Sequence, residues 1–319
     1  WLHRQTNFPV VHDISDLAAP THDLSNGWFA FQDLRFSGRA KQGFHRLMRA
    51  GGRMILPGSR APLRLEDSYF RSAYLKEKFL EMGETSAVVA PVIHHGVPSR
   101  DKLPGPGAKR GGIIFAGRLE PYKGAHVFLA ALARLSPEHG PVEAKLIGDA
   151  SSAEYREQLD QLIAAVPAFV SLHREGAVPR EALLNMLDSS SIFVFPVSWP
   201  EPFSIGLLEA ARAGLAIVAT GTGGTPEILR DEENCLLVPV NDPSALAAAV
   251  DRLRADTALR HRLAEAARAT AKEFTIESKL HLIEMHLRRV LARHGRAVDS
   301  STATTLLHTA HPPETSISS

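Results

Sequence analysis

From about residue 111 to 250, short apolar runs alternate with amphipathic segments, and this alternation constrains the fold more than any other feature of the chain. The runs cover 112–116, 142–147, 169–172, 191–196, 215–220 and 235–239. Helical spacing fills the intervals at 125–135, 153–165, 180–187, 205–213 and 243–253. Strands that alternate with helices form β-α-β units, and such units build an α/β fold around a doubly wound, Rossmann-like parallel sheet. Helices cover both faces of such a sheet, which is why Ile192, Phe193, Val194 and Phe195 can be apolar without interruption. Ligands of open α/β sheets bind beyond the carboxyl ends of the strands, so the residues just past each run are the ones to search.

Outside this core the pattern is weaker. Residues 8–11, 53–56 and 87–93 read as strands, and 69–82 as a helix stopped by Gly83. Residues 13–38 carry no period and read as a long loop with short helices. A stretch rich in Pro, Gly, Lys and Arg follows Val97 and reads as a linker. Helical spacing returns at 256–273 and 276–293, and the Ser/Thr/Pro-rich end reads as disordered. The expected organisation is a partial N-terminal α/β domain (1–97), a linker (98–111), a ligand-binding sheet domain (112–275), a late helix (276–295) and a tail (296–319).

Composition narrows the function. The 36 Lys+Arg against 35 Asp+Glu leave a formal net charge of +1, without the basic excess of a dedicated nucleic-acid binder. With Cys235 alone no intrachain disulfide forms, and its place at the head of an apolar run predicts a buried, inert thiol. No apolar run approaches the ~20 residues of a spanning helix, and no apolar region of signal-peptide type follows the first residues. The fifteen histidines show no H-E-x-x-H and no zinc spacing, so no metal site is expected. The pair His94-His95 reads as part of a turn before the linker. No G-x-x-x-x-G-K-[ST] or G-x-G-x-x-G occurs, which disfavours a P-loop and a dinucleotide oxidoreductase.

Three constellations follow predicted strands. In the first, Gly117-Arg118-Leu119 is followed by Lys123-Gly124. A planar guanidinium fork and a point charge suit a pair of phosphates, and glycine admits close backbone approach. The second runs from Glu201 to Glu209, with Ser204 as an N-cap and the free backbone N–H groups at the start of the helix making a site for an anion. Gly206 leaves room beside Glu209, whose carboxylate accepts hydrogen bonds from hydroxyls. The third, Gly221-Thr222-Gly223-Gly224-Thr225-Pro226-Glu227, reads equally as a tight turn or as a backbone contact to a ligand.

The ordered set of these motifs, with Gly148-Asp149 between them, resembles the retaining glycosyltransferases of family 4, which have the two-domain GT-B fold. The resemblance covers about 111–250, and more weakly 72–98. It implies that Arg118 and Lys123 hold the diphosphate of a nucleotide-sugar, Glu209 the ribose and Glu201 the transferred sugar. The amides of Phe203, Ser204, Ile205 and Gly206 would meet the sugar or the distal phosphate, with Gly117 in the donor loop. It implies retention of anomeric configuration, a nucleoside-diphosphate sugar as donor substrate with no cofactor, and a carbohydrate, lipid-linked or small-molecule acceptor. It also implies a cytoplasmic protein in which 276–295 crosses back to the N-terminal domain. Lying on an anionic inner-membrane surface is the other reading of its cations and of Leu280, Ile283, Leu287 and Leu291.

The N-terminal side departs from the family. No glycine-rich loop precedes Phe8, the chain starts with Trp1, and the position expected to hold a sugar-contacting histidine carries Ser15, with His12 and His22 as stand-ins. The expectation is a truncated N-terminal domain. The alternative function is a non-catalytic nucleotide-sugar-binding fragment or degenerate relative lacking the acceptor half.

Overall fold

The computed structural model describes residues 65–98 and 111–295, together with the backbone of Asp13–Ile14. The expectations for strands 8–11 and 53–56, for His12, Ser15 and His22, for most of 13–38 and of the linker, and for the tail lie outside the described residues.

Strands β1 (Asp13–Ile14) and β2 (Tyr69–Phe70) pair in parallel, and helix α1 (Ala73–Glu81) follows. The main sheet has six strands: β3 (Ile113–Ala116), β4 (Val142–Ile147), β5 (Val170–Glu175), β6 (Ile192–Phe195), β7 (Ala216–Thr220) and β8 (Leu236–Val238). Between them run α2 (Ala125–Leu132), α3 (Ala153–Ala164), α4 (Arg180–Ser189) and α5 (Ile205–Ala213). Helices α6 (Pro243–Ala255), α7 (Thr257–Ala271) and α8 (Ile276–Arg293) close the described chain.

All main-sheet pairs are parallel, in the order β5-β4-β3-β6-β7-β8. The chain winds outward from β3 through β4 to β5, then returns to the centre at β6 and winds the other way. The strand order therefore reverses between β3 and β6, which are in register at Ile113–Ile192 and Ile114–Phe193. At such a reversal the loops leaving the two strands diverge to opposite faces and leave a crevice.

Alternation along the strands supplies two cores. Ile113, Phe115, Leu146, Val194 and Val218 face Phe128, Leu159, Leu246 and Val250. Ile114, Phe193, Phe195, Ile217 and Ala219 face Leu187, Leu207, Leu208 and Phe274. Each of the Val, Leu, Ile and Phe side chains, fully buried, contributes about 1.5–3 kcal/mol. Cys235 is completely buried, as the sequence implied. Burial, then Asp231 and Glu232, push its thiol up to about 12, so it stays protonated at neutral pH.

The described chain divides into two compact units. One holds residues 65–70, 75–92 and 284–295; the other holds 71–74, 93–98 and 111–283. In the first, Leu65, Phe70, Leu75, Phe79, Ala87 and Ala90 form a small core. In that unit the carboxylate of Asp67, almost fully buried, accepts from Arg293 Nη1 (3.0 Å) and pairs with His294 Nε2 (2.8 Å).

Two expectations fail in the region before the linker. The helix over 69–82 starts only at Ala73, because Tyr69 and Phe70 pair with a distant strand. The strand over 87–93 is a 3-10 helix at Thr85–Val89, with Val92 making a single bridge to Phe70. The β-branched pair Val88 and Val89 points outward, 62% and 61% exposed, while Ala87 and Ala90 on either side join the small core.

Candidate active site

The loop leaving β3 is held by backbone. Gly117 donates its N–H to Ile147 (3.1 Å), and the fully buried Leu119 donates to Asp149 (2.9 Å). Pro121–Lys123 make a 3-10 turn that Gly124 ends at φ 81° and ψ 25°. A Cβ on Gly124 would collide with the carbonyl oxygen of Pro196, so this glycine lets the β3 loop sit against the end of β6. The amide of Ser198 then donates to Tyr122 (2.9 Å), joining the two loops.

Glycine has the same use in the loop after β7. Gly223 (φ 57°) and Gly224 lie against residues 200–202, where a Cβ on either would strike a carbonyl oxygen, of Glu201 or Pro202 respectively. Gly224 donates its N–H to Glu201 (2.8 Å), and Thr222 Oγ1 donates to the carbonyl of Trp199 (2.9 Å). Of the two readings of this glycine run, the described structure shows the tight turn, and the turn positions Glu201.

These supports bring two of the expected site residues into direct contact. Lys123 Nζ forms an ion pair with Glu201 Oε2, and both side chains are 18% exposed. Lys123 also lies 5.6 Å from the centre of the Tyr122 ring. Arg118 is exposed, and its Nη2 donates to the Tyr122 hydroxyl (2.9 Å).

Glu209 lies on α5, almost buried, and accepts on a single oxygen, Oε1, from Arg180 Nη2 (2.6 Å) and Nε (3.2 Å). Ser204 is the N-cap of α5; its Oγ accepts from the amide of Leu207 (3.3 Å). The amides of Ile205 and Gly206 stand in the first turn, where a helix supplies no acceptor of its own. A Cβ on Gly206 would meet only Ser204 Oγ at 3.7 Å, and nothing lies within 4 Å of one on Gly117, so both are open places on the backbone. Phe203 is buried, its ring 5.0 Å from His94 and 5.7 Å from Phe274, and anchors the loop rather than lining it.

Arg180 was not singled out from sequence, although a cation at the first position of a helix, against the helix dipole, was a readable sign of another task. His94 and Glu227 were read only as parts of a turn and a glycine run, and their pairing was not foreseen. The Glu227 carboxylate accepts from the amides of Ala73 (2.9 Å) and Tyr74 (2.9 Å) and pairs with His94 Nε2 (2.7 Å). Burial works to raise its carboxyl, but the hydrogen bonds from His94, Tyr74 and Ala73 outweigh it and hold it below the usual carboxylate range. The His94 turn is thus a binding element for Glu227, beyond its expected role as a lead into the linker.

A Rossmann-like parallel sheet, with cations and carboxylates gathered on the loops beyond its carboxyl edge, defines an α/β protein of the GT-B glycosyltransferase type. The sequence pattern of the family described as Glycosyl transferases group 1 matches residues 103–270, more than half of the chain, and the chain belongs to that family. The D-inositol 3-phosphate glycosyltransferase of Streptomyces avermitilis is 30% identical over 196 residues, 57% of this chain and 42% of the relative. The phosphatidyl-myo-inositol mannosyltransferase of Mycolicibacterium smegmatis is 34% identical over 149 residues, 46% of this chain and 37% of the relative. The chain thus spans about two-fifths of the length of these curated relatives. Among solved structures, Anabaena HepE in complex with UDP-glucose shares the fold with a TM-score of 0.67. It is 21% identical, over 90% of this chain and 74% of that one. Among the described residues no helix is long and apolar enough to cross a membrane.

Proposed function

We propose that this chain transfers a sugar from a nucleoside-diphosphate sugar to a hydroxyl acceptor, with retention of configuration at the anomeric carbon, as in glycosyltransferase family 4. Arg118 and Lys123 hold the diphosphate, the open amides of Ile205 and Gly206 face the distal phosphate or the sugar, Glu209 takes the ribose hydroxyls and Glu201 those of the transferred sugar. The supporting observation is the meeting of Lys123 and Glu201 on the loops that leave β3 and β6, where the strand order reverses. As the bond from the anomeric carbon to the phosphate oxygen breaks, its electron pair stays on the diphosphate. Cations and helix-end amides fixed there stabilise that charge more in the transition state than in the ground state. The acceptor oxygen forms the new bond and gives its proton to the departing diphosphate oxygen.

The test is calorimetric titration of the full chain with UDP, GDP and ADP, beginning with UDP because HepE was solved with UDP-glucose. Release of nucleoside diphosphate from the matching sugar donor is then measured with inositol and inositol phosphate as first acceptors, after the names of the curated relatives. Lys123→Ala is expected to weaken the nucleotide that binds about 10- to 100-fold, the value of a charge-assisted contact. An unchanged affinity removes Lys123 from the site, and no binding of any of the three removes the donor-site reading.

A further inference from the structure

Each carboxylate of the Glu201–Glu209 motif already has a cation. Glu201 has Lys123 and Glu209 has Arg180, but the two pairs differ in kind. Both guanidinium contacts of Arg180 fall on Oε1 of Glu209, so its pairing is compatible with a ligand on Oε2. Lys123 is a point charge on a flexible stem. A phosphate oxygen that takes up its ammonium competes with the carboxylate it already holds. Arg118 donates to a neutral hydroxyl, Tyr122, and is exposed, so it meets an incoming diphosphate without breaking an ion pair.

We propose that Glu201 discriminates the loaded sugar donor from the spent nucleoside diphosphate, because binding either one withdraws Lys123 from it and only the loaded donor offers a replacement. This inference rests on the donor-site reading above. When the diphosphate engages Lys123, the Glu201 carboxylate is left in a partly buried place without its cation, at a cost. Sugar hydroxyls donate to it and offset that cost. A nucleoside diphosphate without its sugar has no such hydroxyls and carries the cost in full. The exchange favours substrate over product and speeds product release, and it makes Glu201 a specificity-determining residue as well as a sugar-binding one.

The experiment compares wild-type, Glu201→Gln, Lys123→Ala and the double variant, all as the full chain. Each is titrated with UDP, or whichever nucleoside diphosphate the wild-type binds, and with its sugar donor in the absence of acceptor. Thermal melts of each variant show that it is folded. Glu201→Gln is expected to bind the nucleoside diphosphate about 5-fold tighter than wild-type and the sugar donor no tighter, so that the preference for the loaded donor shrinks. In the Lys123→Ala background the same change is expected to leave nucleoside-diphosphate affinity unaltered, because the pair no longer exists. If Glu201→Gln binds the diphosphate no tighter, or if the gain persists without Lys123, the exchange is overturned. Should the wild-type bind no nucleoside diphosphate, the donor-site reading itself has failed. Binding by the wild-type without a gain in Glu201→Gln overturns only the discrimination. If Glu201→Gln fails to fold, Glu201→Asp, which keeps the charge but shortens its reach to Lys123, is expected to show the same gain.

Discussion

Around Glu227 the donors are set by the fold: two amides at the head of α1 and the ring of His94, itself packed 5.0 Å from Phe203 and 5.4 Å from Phe274. Around Glu201 and Glu209 the partners are the ends of long side chains, Lys123 and Arg180, that can turn away. The carboxylate chemistry is the same in both regions, but amides cannot leave and an ammonium can. A glutamate held by backbone reads as part of the scaffold, whereas one held by mobile cations has partners that a ligand can replace. Spacing along the sequence does not separate these cases, since all three glutamates lie within 27 residues of one another.

Gly224 touches both regions and gives the sharpest way to break the contrast. Its substitution by alanine would place a Cβ against the Pro202 carbonyl and 3.3 Å from Glu227 Oε1. The expected loss is about 3 kcal/mol in denaturant unfolding, together with the nucleotide affinity. A melting temperature equal to wild-type would mean that the two loops are not in backbone contact.

Glu227→Gln comes next, with an expected cost of about 1.5–3 kcal/mol and an unchanged nucleotide affinity. Its pH dependence carries a sign. The native carboxyl is held below its ordinary 4.5, so its contribution is present above that pH and is lost as pH falls through the lowered value. The variant's stability curve should therefore be flatter below pH 4.5 than wild-type. Parallel curves would mean that the carboxylate is not paired in the native state.

Glu209→Gln should show the reverse pattern, an affinity about 10-fold lower by calorimetry with a melting temperature close to wild-type. A variant that melts early and binds normally would move Glu209 into the scaffold.

The smallest expected effect lies in the other unit, where His286 is buried, 5.9 Å from the Tyr69 ring and donating from Nε2 to the Asp67 carbonyl (3.1 Å). Burial is the main cause holding its pKa below 6.5, so the native state resists the proton that the unfolded chain accepts. Stability from this site is full above pH 6.5 and falls as the solution is acidified. His286→Gln should remove that slope below pH 6.5 in thermal melts, and an unchanged slope would place its origin elsewhere.

The middle of the sheet was legible because β6 and β7 are buried on both faces. Ile192–Phe195 has no polar position to confuse its period, and helix α5, with Ser204 at one end and Gly214 at φ 77° at the other, carries its own boundaries. Strand β5 runs three residues past the expected 172, because β4 pairs it through Glu175 although His173, Arg174 and Glu175 are exposed there. Tyr69 and Phe70 were drawn into a helix because their strand partner lies more than fifty residues earlier. In the site, Lys123, Glu201 and Glu209 announced themselves through local motifs. Arg180 did not, since it meets Glu209 across 29 residues of intervening chain.

The contacts that shape the Glu201 loop run from amide to carbonyl and from glycine to peptide plane, so they record almost nothing about the side chains displayed above them. Trp199 and Ile205, 43% and 41% exposed, can vary while the chain beneath them keeps its course. A library randomised at those two positions would consist mostly of folded proteins with altered pocket rims, whereas one randomised at 223 and 224 would consist mostly of unfolded chains. Selection acting on this family member can therefore change what is displayed at 199 and 205 without remaking the loop.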